Sequence, residues 1–105
     1  MASVAVTFIH NNATKGLRAR DVAIELNVSR RLADLRFKEC YGKTILDAIL
    51  EIRLDALKQK LKTTSTPIKK ITAACGFANE ANAKALFKRR VGVSMRVFRA
   101  NAQSS

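Results

Sequence analysis

Apolar residues recur along this chain at intervals of three and four positions, the spacing that places side chains on one face of an α-helix. The pattern is clearest in the middle of the chain, at Ile45, Ile49, Ile52, Leu57 and Leu61. Alternating runs of β-branched residues, which are typical of strands, do not occur. The 105 residues contain only one proline and four glycines. The pattern therefore predicts an all-α protein with about seven helices.

The first helix is predicted from Val4, Phe8 and Ile9, which share one stripe, and it ends near Asn12. A second helix is predicted over residues 20–26, where the apolar residues again have helical spacing.

Turn and capping residues separate the second helix from a third. Asn27 suits a tight turn, because asparagine tolerates positive φ better than most residues. Ser29 is predicted to cap the third helix by accepting a hydrogen bond from a free backbone N–H group. That helix then runs to Tyr41 and ends at Gly42, since glycine readily adopts the left-handed conformation found after many helices.

The longest predicted helix begins after Thr44, its expected cap, and covers residues 45–61. Leu46, Leu50 and Leu54 widen its apolar stripe beyond what one neighbouring helix would cover. We therefore expect this helix to pack against both halves of the molecule.

Three more helices are predicted after a polar break. Thr66 and Pro67 are a start signal, with a capping hydroxyl and then a proline at the first helical position. Asn79 is the expected cap of the next helix, which ends at Gly92. Ser94 is the expected cap of the last short helix.

One pattern occurs twice in the chain. Residues 22–28 are echoed by residues 71–77, and residues 37–42 by residues 87–92, roughly 50 residues later. Each copy is a short helix, a tight turn and a longer basic helix, which is the pattern of a helix-turn-helix. The sequence predicts a single domain with two helix-turn-helix lobes, at about 4–43 and about 66–101, joined by a long central helix at about 44–62.

Charge narrows the classes of function. The chain has 20 Lys and Arg against 8 Asp and Glu, a net charge of +12, which indicates a polyanion as partner. No His–carboxylate cluster or glycine-rich phosphate loop is present, so we predict no enzyme and no cofactor. Tryptophan is absent and no apolar stretch approaches about 18 residues, so we predict no membrane association.

Cys40 and Cys75 lack metal-ligand spacing and fall at apolar-periodic positions, so both are predicted to be small core residues. Unpaired thiols suit the reducing cytoplasm, which is the predicted location. His10 has no cysteine or carboxylate cluster near it in sequence, and we interpret it as a surface or helix-end residue.

Polar residues on the longer helix of each copy form a candidate DNA-binding site. Arginine can read guanine, asparagine adenine and glutamate cytosine, whereas lysine mostly contacts phosphate. Any one of these residues alone is typical of a solvated surface, so the prediction depends on their clustering in both copies. The candidates are Arg30, Arg31, Asp34, Arg36, Lys38, Asn79, Glu80, Asn82, Lys84, Lys88 and Arg89.

Further residues form a recognisable set: Ile68 and Ile71, then Cys75-Gly76-Phe77, Phe87-Lys88, Gly92-Val93-Ser94 and Phe98-Arg99, with Arg53-Leu54 in the long helix. In these residues the chain resembles the DNA-binding domain of the AraC/XylS family of bacterial transcription regulators. The resemblance extends from about Phe8 to Arg99, and its opening part is most similar to xylose-operon regulators.

The resemblance implies sequence-specific binding of double-stranded DNA, with two recognition helices in successive major-groove segments. Such helices should lie on one face with centres about 34 Å apart. The family pattern places base contacts near Arg31, Asp34 and Leu35 in the first copy, and near Glu80, Ala81 and Ala85 in the second. The leucine and the alanines cannot donate hydrogen bonds, so we expect the first copy to dominate base reading.

Family members generally join this domain to a sensor or dimerisation domain. The resemblance therefore implies either an excised fragment, whose further partners are such a domain missing from this chain and RNA polymerase, or a stand-alone binder. A second interpretation also stays open: a non-specific basic nucleic-acid-binding protein, architectural or ribosome-associated. That class shares the charge of +12 but does not require two capped turns at matched spacing.

Overall fold

The computed structural model describes residues 2–104, and this part of the chain contains no strand. A 3₁₀ turn, Ala13–Lys15, follows the first helix. The α-helices are α1 (Ala2–Asn12), α2 (Ala19–Glu25), α3 (Arg30–Tyr41), α4 (Ile45–Thr63), α5 (Ile68–Ala74), α6 (Glu80–Val91) and α7 (Met95–Gln103). The predicted all-α class and its seven helices are confirmed.

The helices enclose two hydrophobic cores, and α4 contributes to both. Helices α1, α2 and α3 pack with the first half of α4 around Val22, Phe37 and Ile49. Helices α5, α6 and α7 pack with its second half around Leu57 and Phe87. We call α1–α3 lobe one and α5–α7 lobe two. The molecule is elongated, 45 × 22 × 21 Å, because the two lobes lie along one helix.

The turn between α2 and α3 repeats in the turn between α5 and α6. In lobe one, three successive N–H groups donate to carbonyls of α2: Leu26 to Val22, Asn27 to Ile24, and Val28 to Ala23. In lobe two, the same bonds occur 49 residues later: Cys75 to Ile71, Gly76 to Ala73, and Phe77 to Thr72. The first residue of each set ends the helix. The second residue has positive φ, 57° at Asn27 and 97° at Gly76. The predicted repeated unit is thus visible in the backbone.

Most predicted helix boundaries are confirmed by their capping bonds. Each capping side chain accepts a hydrogen bond from the N–H group three residues further on; the four caps are Ser29, Thr44, Asn79 and Ser94. Gly42 and Gly92 end α3 and α6 in the left-handed conformation. Thr66 was wrongly predicted as a cap, because α5 begins at Ile68 and no side chain caps it.

Three apolar predictions were wrong, and each has a geometric reason. Val4 is exposed because α1 turns Ala5 and Ile9 towards the core instead. Cys40 is exposed because it lies in the last turn of α3, beyond Phe37, the last buried residue of that helix.

Leu46 is also exposed, although Leu50 and Leu54 pack into the second core as expected. It lies in the first turn of α4, where Ile45 and Ala48 face lobe one and no helix covers the opposite side. The apolar stripe of α4 is therefore widest in the middle of the helix, where the two cores meet.

Candidate nucleic-acid interface

Helices α3 and α6 bury one face each and leave the opposite face exposed. The buried pair is Ala33 and Phe37 in α3, and Ala83 and Phe87 in α6. These pairs correspond, 50 residues apart, so the two helices have the same orientation within their lobes. Because each residue turns an α-helix by about 100°, the sequence fixes which residues lie opposite the core.

The residues opposite the core form one outward ridge on each helix. The ridge of α3 consists of Arg31, Leu35 and Lys38, with Glu39 beside it, and the ridge of α6 of Ala81, Ala85 and Lys88, with Arg89 beside it, all of them exposed. Both ridges therefore end in lysine, but only α3 offers an arginine in its first turn. These ridges contain the positions that the family resemblance assigned to base contacts, apart from Asp34 and Glu80, which lie off the ridges and are half-buried.

Two predicted residues of α3 do not lie on its ridge. Arg36 is exposed but points away, at a position whose counterpart in α6, Leu86, is buried. Arg30 is the first residue of α3 and lies on the side nearer the core, where its Nε is 3.5 Å from Asp34 Oδ2. Their contacts with DNA stay predictions.

Asp34 is engaged within the protein. Its Oδ1 accepts a hydrogen bond of 3.4 Å from the backbone N–H of Ile45, and its Oδ2 pairs with Arg30. The first contact ties α3 to the start of α4. A base contact by this carboxylate would compete with these bonds, and each is weak enough at a half-exposed site for such an exchange.

In α6 the predicted polar residues are also paired. Glu80 Oε1 lies 3.0 Å from Lys84 Nζ. The side-chain oxygen of Asn79 accepts a 2.9 Å bond from the N–H of Asn82, which leaves the NH₂ group of Asn79 to solvent. Asn82 and Arg89 are exposed beside the ridge.

A basic groove runs between α6 and the start of α7, and its edge is continuous with the α6 ridge. It is lined by Lys84, Lys88 and Arg96 around the N-terminus of α7, which Ser94 caps. Helix N-termini attract anions through their free N–H groups, and Lys88 and Arg96 strengthen that attraction here, while Lys84 is paired with Glu80. We call this feature the lobe-two groove.

Arg96 was not predicted from the sequence as a DNA-binding residue, because it lies in α7, outside the two recognition helices. A signal was present, since Arg96 follows the cap Ser94 by two residues at the start of a helix. The counterparts of the three cations in lobe one are Asp34, Lys38 and Leu46, so these positions of lobe one hold a single cation.

Other chemistry is sparse in residues 2–104. No group of three or more His, Cys, Asp or Glu is placed to hold a metal ion, and no helix is long and apolar enough to cross a membrane. His10 is exposed, as interpreted from the sequence. Cys75 is buried as predicted, and burial raises the pKa of its thiol, although nearby Lys60 opposes the shift.

Residues 22–101 match a family profile described as a helix-turn-helix domain. A solved transcriptional regulator from Chromobacterium violaceum, described as having an AraC-type DNA-binding domain, is similar to the chain with a TM-score of 0.81 and 31% identity. That similarity covers 93% of this chain and 88% of the solved one. The chain belongs to the AraC-type helix-turn-helix domain family. The resemblance seen in the sequence is therefore confirmed, and this family is one of DNA-binding transcription regulators, not of enzymes.

Curated relatives of this AraC-type domain include the xylose operon regulatory proteins of two bacteria. The Haemophilus influenzae protein is 30% identical over 97 residues, which cover 92% of this chain and 25% of that protein. The Escherichia coli K12 protein is 28% identical over 95 residues, covering 90% of this chain and 24% of that protein. The chain thus spans about a quarter of the length of these relatives.

The fold is also shared with the DNA-binding domain of AdpA, a global transcriptional factor solved in complex with a target DNA. The TM-score is 0.91 at 21% identity, over 98% of this chain and 93% of that one. The AraC-type domain therefore has the complete two-lobed architecture of a domain known to bind DNA.

Proposed function

We propose that this AraC-type domain binds one DNA duplex sequence-specifically, with α3 and α6 in successive major-groove segments. The observation that carries the proposal is the repeated unit: two turns with the same backbone hydrogen bonds present two recognition helices whose outward ridges occupy equivalent positions. Successive major-groove segments on one face lie about 34 Å apart. The 45 Å length of the molecule is sufficient for this spacing.

The two lobes divide the work in this proposal. Arg31 is the ridge residue that can form a bidentate contact with guanine, so lobe one reads bases. The ridge of α6 offers methyl groups at Ala81 and Ala85, which suit thymine methyls, and its lobe-two groove suits a phosphate. This difference between the helices supports strong sequence preference at the base pairs that α3 contacts. At the base pairs near α6 it supports a contribution mainly to affinity.

Two further parts of the proposal come from the relatives. Those proteins are about four times as long as this chain, and they are named as operon regulators. This supports action together with a sensor or dimerisation domain and with RNA polymerase, in the bacterial cytoplasm where the chromosome lies.

Selection from random duplexes, read by sequencing, tests the proposal against a non-specific nucleic-acid binder. We expect one enriched site, bound about 10³-fold or more tightly than scrambled competitor DNA at the same salt concentration. Recovery of no common sequence, with all duplexes bound within a few-fold of each other, would show a non-specific binder instead.

A further inference from the structure

The two lobes touch beside α4, away from the recognition ridges. The contact joins the 3₁₀ turn Ala13–Lys15 of lobe one to the Gly76–Phe77 turn of lobe two. Otherwise each lobe has its own core on its own half of α4. A helix joining two bodies can bend, because its hydrogen bonds lengthen with little resistance on one side. A second contact beside the helix opposes that bending.

Arg53 lies in the middle of α4 at this contact, and it is 8% exposed. Its Nε donates a 2.7 Å hydrogen bond to the carbonyl oxygen of Ala13, and its Nη2 donates to that of Leu17. Its guanidinium carbon lies 5.5 Å from the centroid of the Phe77 ring. One side chain therefore binds lobe one by two hydrogen bonds and lobe two by a cation–π contact.

Gly76 brings the lobe-two turn against the same carbonyl. A Cβ at this position would lie 2.7 Å from the oxygen of Ala13 and 2.9 Å from the carbonyl carbon of Thr14. Both atoms are backbone, so neither can rotate away. The close approach thus requires glycine, and it places Phe77 beside the guanidinium.

Arg53 is costly to bury, and desolvation lowers the pKa of its guanidinium from the ordinary value. An apolar residue would fill the same space without that cost. What arginine adds is direction, because a planar fork satisfies two carbonyls at fixed angles. The residue therefore has the properties expected of an orienting contact.

We infer that Arg53, Gly76 and Phe77 form an inter-lobe latch that holds α3 and α6 at a fixed separation and so sets the spacing of the two DNA half-sites. The statement about DNA rests on the proposed function, whereas the statement about lobe orientation does not. Arg53 and Phe77 are positioning residues, since they act through the placement of the recognition helices.

A distance measurement without DNA tests the latch first. Nitroxide labels on exposed Cys40 in α3 and on a Lys70→Cys variant in α5 report the inter-lobe distance by pulsed electron–electron double resonance. Cys75 is fully buried with a raised thiol pKa, so it is protected from the label. We expect one narrow distribution in the labelled parent and a broader one after Phe77→Leu or Arg53→Lys.

Val28→Ala is the matched control, because Val28 holds the position of Phe77 in the lobe-one turn but packs only on the first core. It should leave the width of the distribution unchanged. Circular dichroism verifies that helix content is kept, and Phe77→Leu retains most of the apolar volume should Arg53→Lys prove unstable. Equal widths in parent and latch variants would overturn the latch.

The consequence for DNA is tested on the selected site with one base pair inserted between its half-sites. We expect the insertion to lower the affinity of the parent about 10-fold or more, and that of the latch variants about 3-fold or less. An equal penalty in parent and variants would contradict the spacing role. If the insertion does not lower the affinity of the parent, both the proposed function and this spacing role are wrong. The distance distributions measured without DNA would still test the latch.

Discussion

The turns of the two lobes have the same backbone hydrogen bonds but different residues at the position of positive φ. Asn27 occupies it in lobe one, where it is exposed, and Gly76 occupies it in lobe two. The conformation alone does not explain the difference, because asparagine tolerates it. The lobe-two turn lies against Ala13, and only glycine leaves room for that carbonyl. A repeated turn can therefore also form a contact between the repeats.

The recognition helices of the two lobes also differ, because equivalent positions have charges of opposite sign. Arg30 and Asp34 form an ion pair in α3, and their counterparts Glu80 and Lys84 form one with the charges reversed in α6. Lobe two adds Arg96 where lobe one has Leu46. The backbone of the unit is thus kept, while the side chains favour base reading in one lobe and phosphate binding in the other.

The affinity for DNA should depend most strongly on the salt concentration. If the basic surface neutralises about 6 to 10 phosphates, affinity falls by about 10³ to 10⁵ between 50 and 200 mM salt. Replacing Lys84, Lys88 and Arg96 together with alanine should lower the slope of log affinity against log salt by about 3. Lys38→Ala, the one cation at these positions in lobe one, should lower it by about 1. Fluorescence anisotropy measures both, and equal slopes for all variants would refute the assignment of phosphate binding to lobe two.

The turn comparison predicts the largest change in stability. Gly76→Ala combines left-handed strain with a backbone clash and should cost about 3 kcal/mol or more of the free energy of unfolding. Asn27→Ala introduces strain alone and should cost about 1 kcal/mol. Urea denaturation followed by circular dichroism gives both values. Similar losses in the two variants would show that the contact with Ala13 is unimportant.

The ridge comparison predicts a difference in specificity. Arg31→Ala should cost about 1 to 3 kcal/mol on the preferred site and relax the preference at one or two base pairs. Lys88→Ala should weaken all sequences by nearly the same factor, because a phosphate contact carries no sequence information. Helix content should stay unchanged in both, since both side chains are exposed. Binding to the preferred and a scrambled site decides the matter; equal losses on both for Arg31→Ala would remove the support for base reading.

Removal of the N-cap of either recognition helix should lower stability slightly and by a similar amount in the two lobes. Ser29→Ala and Asn79→Ala each remove one capping bond, of 3.1 Å and 2.9 Å. Each should cost about 1 kcal/mol of stability. Ser29→Asn and Asn79→Ser are controls that keep a capping oxygen and should cost less. A large loss in only one lobe, measured by thermal unfolding, would indicate that its cap has a further structural role.

Much of the fold could be predicted from the sequence, because its signals are local. Asn27, Ser29, Thr44 and Gly42 determine helix boundaries through their own backbone and side-chain preferences, and each lies where it was expected. Cys40 shows the limit of this reasoning. Its spacing is apolar-periodic, but whether a position is covered depends on how far the neighbouring helices extend.

The candidate site was harder to predict than the fold, because it too depends on how neighbouring helices are arranged. Helical spacing identifies Arg31 and Lys88 as outward residues, but it cannot show that Asp34 is already bonded to α4. It also cannot bring Arg96 beside Lys88, or Arg53 beside Phe77, because these contacts join distant segments of the chain. Such contacts depend on the tertiary arrangement.

We propose that α3 and α6 enter successive major-groove segments on one face of a single duplex. Missing-nucleoside interference tests this placement, because loss of any base, thymine included, removes its contacts in the major groove. On the selected site we expect two clusters of interfering nucleosides with centres about 10 base pairs apart, and loss of interference in only one cluster for Arg31→Ala. A single cluster, or two clusters half a helical turn out of phase, would contradict the account.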